Sequence, residues 1–142
     1  DDTQCPTGAF LSVEGSPFDF REMKKIGDGI HCDNAQLKLG GTYDHNFVIN
    51  GDGLREAAVL QSKESGIRLT CFTDQPGVQL YVPCYTLHQK GIDGKDYPPY
   101  SAVCLETQHY PNAINIEHFP SVVLKAGENF RSKTLYHFSV MG

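Results

Sequence analysis

An alternation of apolar and polar side chains is clearest at residues 55–72, which read REAAVLQSKESGIRLTCF. In the second part of this stretch, Ile67, Leu69 and Cys71 take every other position. A period of two is typical of a β-strand with one buried face. The two extended runs on either side of residues 64–66, which include a Ser-Gly pair, therefore predict a β-hairpin.

The same strand pattern recurs along the chain. Near the C-terminus, Tyr136, Phe138 and Val140 again occupy alternate positions. A helical turn is expected only at residues 20–25, and a loop is expected at residues 87–100, which are rich in glycine and proline. Further strands are predicted at 9–14, 36–39, 43–49, 78–82, 101–107 and 121–126. Several short strands without crossover helices predict an all-β fold, an antiparallel β-sandwich.

Length and charge limit the domain organisation and the classes of partner. The chain has 142 residues, which suits one domain over residues 1–142. Its formal net charge is -5, and phosphate binding needs a surplus of Lys and Arg, so we expect no nucleic-acid partner. The apolar runs are far shorter than the ~18 residues of a membrane span, so we expect no membrane association.

The cysteines indicate neither a zinc site nor a complete set of disulfides. The chain has 5 cysteines, an odd number with no CxxC pair, whereas structural zinc sites usually show closely spaced ligands. No Asn-x-Ser/Thr glycosylation site occurs, and no targeting stretch is recognisable at the first residues. We therefore expect a cytoplasmic location, and a chain start that was made by cutting something longer.

Polar residues interrupt apolar strand sequences at three places. Residues 40–47 read GGTYDHNF, residues 72–81 read FTDQPGVQLY, and residues 103–108 read VCLETQ. Buried polar groups are costly unless they are hydrogen-bonded or used, so each place is a candidate site. Ordinary structural explanations stay open for all three. Asp and Asn can bond the local backbone at a strand start, Pro76-Gly77 fits a type II turn, and Glu106 can alternate outward into water.

These three segments, in this order, resemble the aldose 1-epimerase (galactose mutarotase) family. The matching strings are PFDFR at residues 17–21, YDHNF at 43–47, QPGVQ at 75–79 and CLETQ at 104–108, followed by FPS at 119–121 and KAGE at 125–128. The resemblance spans essentially the whole chain. It implies a mutarotase-like antiparallel β-sandwich, of which residues 1–142 would be the C-terminal part of a single domain.

The resemblance implies interconversion of the α and β anomers of free aldohexoses such as galactose and glucose. Opening the hemiacetal ring removes the proton of the C1 hydroxyl and protonates the ring oxygen, so a general base and a general acid are needed. By motif, Glu106 corresponds to the base, and Asp44 and Gln79 correspond to residues that bind sugar hydroxyls. We expect Glu106 to be partly buried between apolar neighbours, as a base working near neutral pH requires. Because the step is proton transfer, the resemblance implies no cofactor and no metal.

Some parts of the family pattern are missing from this sequence. The family's general acid is a His in a His-x-Tyr-Phe-Asn-Leu-like motif, and none of the 6 histidines lies in such a context. We therefore expect the missing N-terminal half of the same enzyme to be a partner. Asn112 stands where the family usually has Asp, and residues 82–85 (VPCY) replace a more typical Thr-Gly-Asn-Phe. Two other functions stay open: a non-catalytic carbohydrate-binding β-sandwich, and an epimerase-like relative acting on sugar phosphates.

Overall fold

Strands predominate in the computed structural model, which describes residues 2–85 and 87–142. One α-helix, α1 (Ala35–Gly40), precedes the first strand in this part of the chain, and single turns of 3-10 helix lie at Ile26–Asp28 and Ala113–Asn115. The strands are β1 (Asp44–Val48), β2 (Arg55–Gln61), β3 (Ile67–Thr73), β4 (Gly77–Tyr81), β5 (Leu87–Lys90), β6 (Asp96–Tyr97), β7 (Cys104–Gln108) and β8 (Thr134–Val140). Over these described residues, no helix is long and apolar enough to cross a membrane.

The predicted hairpin at residues 55–72 is confirmed. β2 pairs antiparallel with β3, and β3 pairs antiparallel with β8, so the sheet order is β2-β3-β8. The Gly66 N–H closes the turn by donating to the Ser62 carbonyl at 2.9 Å. Gly66 has a φ of +71°, a conformation that glycine adopts without steric cost. In this register Leu69 lies opposite Leu60 on one side and Phe138 on the other.

A second sheet has the strand order β1-β4-β7. Two backbone bonds flank its first pair of strands: the Ile49 N–H donates to the Pro76 carbonyl at 3.0 Å, and the Val82 N–H donates to the Tyr43 carbonyl at 2.9 Å. These two bonds define an antiparallel register for β1 and β4. The register places Asn46 opposite Gln79.

The chain divides into two compact units, and the boundary falls inside each strand of the β1-β4-β7 sheet. Unit 1 comprises Asp1–His45 and Leu80–Cys104, and unit 2 comprises Asn46–Gln79 and Leu105–Gly142. The single domain that was expected over residues 1–142 stays a prediction.

Unit 1 packs around the fully buried Tyr43. The Tyr43 hydroxyl donates to the Pro17 carbonyl at 2.8 Å, and the rings of Phe18 and Phe20 each lie 5.4 Å from the Tyr43 ring in edge-on contacts. Burial raises the pKa of Tyr43 to about 12. A Cβ at Gly29 would overlap the Tyr43 hydroxyl, so this position requires glycine.

Unit 2 packs around the inner side chains of β3 and β4. Cys71 and Thr73 are fully buried, and Val78 is 2% exposed. Burial raises the pKa of the Cys71 thiol. After β7, the rings of Tyr110 and Phe119 meet edge-on with their centroids 5.0 Å apart, so the segment between β7 and β8 has an aromatic contact of its own.

The strand predicted at residues 36–39 is wrong, because this segment forms α1. The Asn34 Oδ1 accepts hydrogen bonds from the N–H groups of Gln36 at 2.9 Å and Leu37 at 3.4 Å, and Gly41 follows the helix with a φ of +69°. An Asn N-cap and a left-handed glycine are typical helix boundaries. The alternation of apolar residues at 37 and 39 fits a strand, but it is too short to outweigh these two caps.

Other local predictions are also wrong. Residues 9–14 and 121–126 form no strand, and residues 20–25 form no helix. The loop expected at 87–100 contains β5 and β6, which pair antiparallel and carry an ion pair between Lys90 and Asp96 at 2.6 Å. A strand needs a neighbouring strand for its backbone hydrogen bonds. A short alternating pattern does not indicate whether such a neighbouring strand exists.

Candidate functional site

Three side-chain amides meet on one face of the β1-β4-β7 sheet. Asn46, Gln79 and Gln108 all belong to unit 2, and each comes from a different strand. The Gln108 Nε2 donates to the Asn46 Oδ1 at 3.3 Å and to the Gln79 Oε1 at 3.2 Å. A carboxamide nitrogen carries two hydrogens, so the amino group of Gln108 can serve both neighbours at once. We call these three residues the amide cluster.

The amide cluster depends on the glycine that begins β4. A Cβ at Gly77 would lie 2.5 Å from the Asn46 Oδ1 and 2.9 Å from its Nδ2. Gly77 is not among the glycines with a positive φ, and a type II turn requires a positive φ at that position. The type II turn is therefore wrong for Pro76-Gly77. Glycine is needed at 77 because the side chain of Asn46 occupies the space beside it.

Glu106, the predicted general base, lies on β7 two residues before Gln108, and its side chain is exposed. The partial burial that was expected for it is therefore not found. Successive side chains of a strand point to opposite faces, so the apolar Leu105 is directed away from Glu106 rather than packing on it. This exposure agrees with the simpler interpretation that Glu106 alternates outward. Its catalytic role stays a prediction.

The two predicted sugar-binding residues lie in different units. Asp44 begins β1 in unit 1, is exposed, and donates from its backbone N–H to the His45 Nδ1 at 3.0 Å. Gln79 lies on β4 in unit 2 and belongs to the amide cluster. The structure thus brings Gln79 together with Asn46 and Gln108, and sugar binding by Asp44 and Gln79 stays a prediction.

His45 has a structural position in unit 1. Its ring lies 4.6 Å from the ring of Phe18, and a Cβ at Gly40 would approach the His45 Cε1 to 3.2 Å. Burial lowers the pKa of the His45 imidazole, and a backbone hydrogen bond at Gln36 opposes this shift without cancelling it. Since Nδ1 accepts from the Asp44 N–H, the neutral ring carries its proton on Nε2. His45 is therefore a half-buried histidine that packs against Phe18 and is neutral.

Arg55 holds together the two chain segments that flank β1 and β4 in unit 2. All five of its N–H groups donate to backbone carbonyl oxygens. On the side of β1, Nε donates to Asn50 at 2.9 Å, Nη1 to Gly53 at 2.9 Å and Nη2 to Ile49 at 3.0 Å. On the side of β4, Nη1 donates to Thr73 at 3.1 Å and Nη2 to Gln75 at 3.1 Å. A guanidinium has five N–H donors. The side chain of Arg55 is therefore fully committed to the backbone, and we call this arrangement the Arg55 clamp.

Gln75 differs from Gln79 although both belong to the same motif. Gln75 is 6% exposed. Its Oε1 accepts from the His109 Nδ1 at 2.8 Å, and its Nε2 donates to the Ser132 Oγ at 2.8 Å. Gln75 and His109 line a cleft of about 460 Å³ in unit 2. The hydrogen bonds of Gln75 indicate a structural role for its side chain.

The amide cluster was missed by sequence reasoning, although a signal for it was present. Gln108 follows Glu106 by two positions, and Asn46 follows Asp44 by two. Alternation along a strand puts such residues on the same face. No pattern indicated the Arg55 clamp. Within the described ranges, no three His, Cys, Asp or Glu residues are grouped so that they could hold a metal ion.

Comparison with known proteins identifies the family. A sequence model of the family described as aldose 1-epimerase matches residues 1–137. Galactose mutarotase from Bos taurus is 40% identical over 144 residues, which cover 99% of this chain and 40% of that protein. Aldose 1-epimerase from Escherichia coli (strain K12) is 30% identical over 142 residues, which cover 97% of this chain and 41% of that protein.

Solved structures agree with the sequence matches. A galactose 1-epimerase from Lactobacillus acidophilus superposes with a TM-score of 0.83 at 30% identity, covering 100% of this chain and 40% of that one. An aldose epimerase homologue from C. elegans superposes with a TM-score of 0.79 at 34% identity, covering 100% of this chain and 42% of that one. The predicted all-β antiparallel fold of the mutarotase type is confirmed. The chain spans about 40% of the length of these curated relatives, and it belongs to the aldose 1-epimerase family.

Proposed function

We propose that this protein acts as an isomerase, a mutarotase that interconverts the α and β anomers of aldohexoses such as galactose and glucose. The observation that carries the proposal is the 40% identity to a galactose mutarotase over 99% of the chain. The amide cluster supports it, because an amide both donates and accepts hydrogen bonds and so suits the hydroxyl groups of a monosaccharide.

Glu106 acts as the general base in this proposal. Its carboxylate takes the proton of the C1 hydroxyl while a general acid protonates the ring oxygen, and the bond between C1 and the ring oxygen breaks to give the open-chain aldehyde. Rotation about the C1–C2 bond, followed by attack of the hydroxyl on the other face of the aldehyde, gives the opposite anomer and returns both protons. Asp44 and Gln79 hold the sugar hydroxyls during these steps. Acid and base groups of this kind contribute about 10²–10⁴-fold each.

The general acid comes, in this proposal, from the part of the family that this chain does not match. Among the described histidines, His45 is half-buried and the pKa of its imidazole is lowered by burial, so it is neutral and does not suit that role. We also propose a cytoplasmic location. The fully buried Cys71 thiol suits a reducing compartment, where cysteines serve as small core residues. Subcellular fractionation tests the location.

Polarimetry on freshly dissolved α-galactose tests the activity. The chain is assayed alone and as a hybrid, joined to the part of bovine galactose mutarotase that it does not match. We expect the hybrid to accelerate mutarotation, and Glu106→Gln to lower the rate by about 10²-fold or more without loss of fold. The exposed Glu56 on β2 provides the control, and Glu56→Gln should leave the rate unchanged.

Two outcomes would contradict parts of this proposal. A Glu106→Gln hybrid that turns over normally would remove Glu106 from the role of base. Saturable galactose binding without any acceleration in the hybrid would favour the non-catalytic carbohydrate-binding function instead.

A further inference from the structure

The hydrogen bonds of the amide cluster fix which end of Gln79 faces Gln108. The Gln79 Oε1 is the acceptor for the Gln108 Nε2 at 3.2 Å. The two branches of a carboxamide point apart, one with the acceptor oxygen and one with the donor nitrogen. The branch of Gln79 that is directed away from Gln108 is therefore the donor.

The position of Gln108 is itself constrained from two sides. Its Nε2 also donates to the Asn46 Oδ1 at 3.3 Å, and Asn46 is packed against Gly77, where a Cβ would lie 2.5 Å from that same oxygen. Turning the Gln108 amide over would place its Oε1 against two carbonyl oxygens, which is a repulsive arrangement. The Asn46 acceptor therefore keeps the Gln108 amide in one orientation independently of Gln79.

We propose that Gln108 is a positioning residue for sugar binding, which orients the Gln79 amide so that its amino group donates to a hydroxyl oxygen of the monosaccharide. This inference rests on the proposed function, in which Gln79 binds the sugar. It adds that Gln79 donates a hydrogen bond to the oxygen of that hydroxyl. It also adds that Gln108, and not Gln79 itself, determines which end of the Gln79 amide faces the sugar.

Two isosteric variants separate the effect of the Gln79 amide orientation from the effect of added charge. Each variant adds one carboxylate to the amide cluster, but only one of them should turn the Gln79 amide over. Gln108→Glu replaces the donor by an acceptor, so the Gln79 amide has to turn over and give its amino group to the new carboxylate. Asn46→Asp keeps an acceptor for the Gln108 Nε2, so Gln79 keeps its orientation. Circular dichroism and thermal melting verify that both variants fold.

The first measurement uses no sugar. In ¹⁵N–¹H correlation spectra of the full chain, the side-chain amide signal of Gln79 is followed against pH. We expect the signal to titrate with the introduced carboxyl in Gln108→Glu and to stay independent of pH in Asn46→Asp. A Gln79 signal that is unchanged in Gln108→Glu, or one that responds equally in both variants, would overturn the positioning role and leave the proposed function standing.

The second measurement adds galactose. In the unsubstituted chain, galactose should shift the Gln79 side-chain signal, and this shift should give the affinity. The loss of one hydrogen bond of about 1.4 kcal/mol corresponds to a tenfold weaker affinity. We therefore expect Gln108→Glu to bind about tenfold more weakly at neutral pH and to recover on acidification, while Asn46→Asp stays within about twofold. If galactose leaves the Gln79 signal of the unsubstituted chain unshifted, sugar binding by Gln79 is wrong, whichever way its amide points. Equal weakening in both variants would show that charge, and not orientation, controls the affinity.

Discussion

Replacing Arg55 by lysine tests the Arg55 clamp with the smallest change of charge and size. The guanidinium donates five hydrogen bonds to five different backbone carbonyls. An ammonium group has three donors at a single point, so at least two of the carbonyls lose their partner in Arg55→Lys. The N–H donors of a guanidinium also point in different directions within one plane, and a single ammonium nitrogen cannot reproduce this geometry.

The expected loss of stability follows from these two hydrogen bonds. Arg55 is half-buried, so water can replace part of what is lost, and about 1 kcal/mol for each bond is the appropriate scale. The free energy of unfolding should therefore fall by about 2 kcal/mol. For a chain of this length, such a change lowers the melting temperature by roughly 6 °C.

Thermal melting and urea denaturation of the full chain measure this effect against a matched control. Arg68 lies on β3, and in the part of the chain that the structure describes its side chain makes no hydrogen bond or ion pair. Arg68→Lys should change the free energy of unfolding by less than about 0.5 kcal/mol. If both variants melt at the same temperature, the five contacts of Arg55 contribute nothing measurable, and the reasoning from donor number is refuted.

Two further results are expected. Because burial lowers the pKa of His45 below the value of 6.5 that is usual for an imidazole, the unfolded chain binds its proton more readily. The contribution of His45 to stability should therefore be fully present above that usual value and should fall as the pH drops toward the lower pKa of the folded state. His45→Gln should reduce this slope in urea titrations between about pH 7.5 and 5. A slope equal to that of the unsubstituted chain would contradict the assignment. Gly77→Ala should lower the free energy of unfolding by about 1–3 kcal/mol because its Cβ meets the Asn46 amide, while Gly27→Ala, where the Cβ meets open space, serves as the comparison. The loss should shrink when Asn46→Ala is combined with Gly77→Ala, and strict additivity would show that the two residues do not interact.

The central hairpin could be predicted from sequence because its determinants are local. Alternation at Ile67, Leu69 and Cys71, together with a left-handed glycine at 66, defines both strands and the turn between them. The helix α1 was missed because four residues of alternation satisfy a strand pattern, while the decisive information lay in its caps, Asn34 and Gly41.

The amide cluster could be predicted only in part, because the spacing of its residues indicates a shared face but not which strands become neighbours. Sequence alone places Asn46 and Gln79 in two separate strands and Gln108 directly after a third, and only the order β1-β4-β7 and the register bring their side chains together. Gly77 was misread for the same reason. Its missing Cβ serves a neighbouring strand, and the turn chemistry of Pro-Gly gave no indication of that. The exposure of Glu106 shows that apolar neighbours in sequence do not bury a strand residue, because they lie on the opposite face.

The acceptors of the Arg55 clamp are all main-chain oxygens, which every amino acid supplies. The five residues that hold the guanidinium are thus free, as far as this contact is concerned, to change their side chains without weakening it. As far as this contact is concerned, substitutions should be harmful at position 55 and tolerated at acceptor positions such as Ile49 and Asn50, in the loop that follows β1. This difference in tolerance would allow the side chains around Arg55 to diversify while the backbone geometry that Arg55 holds is retained.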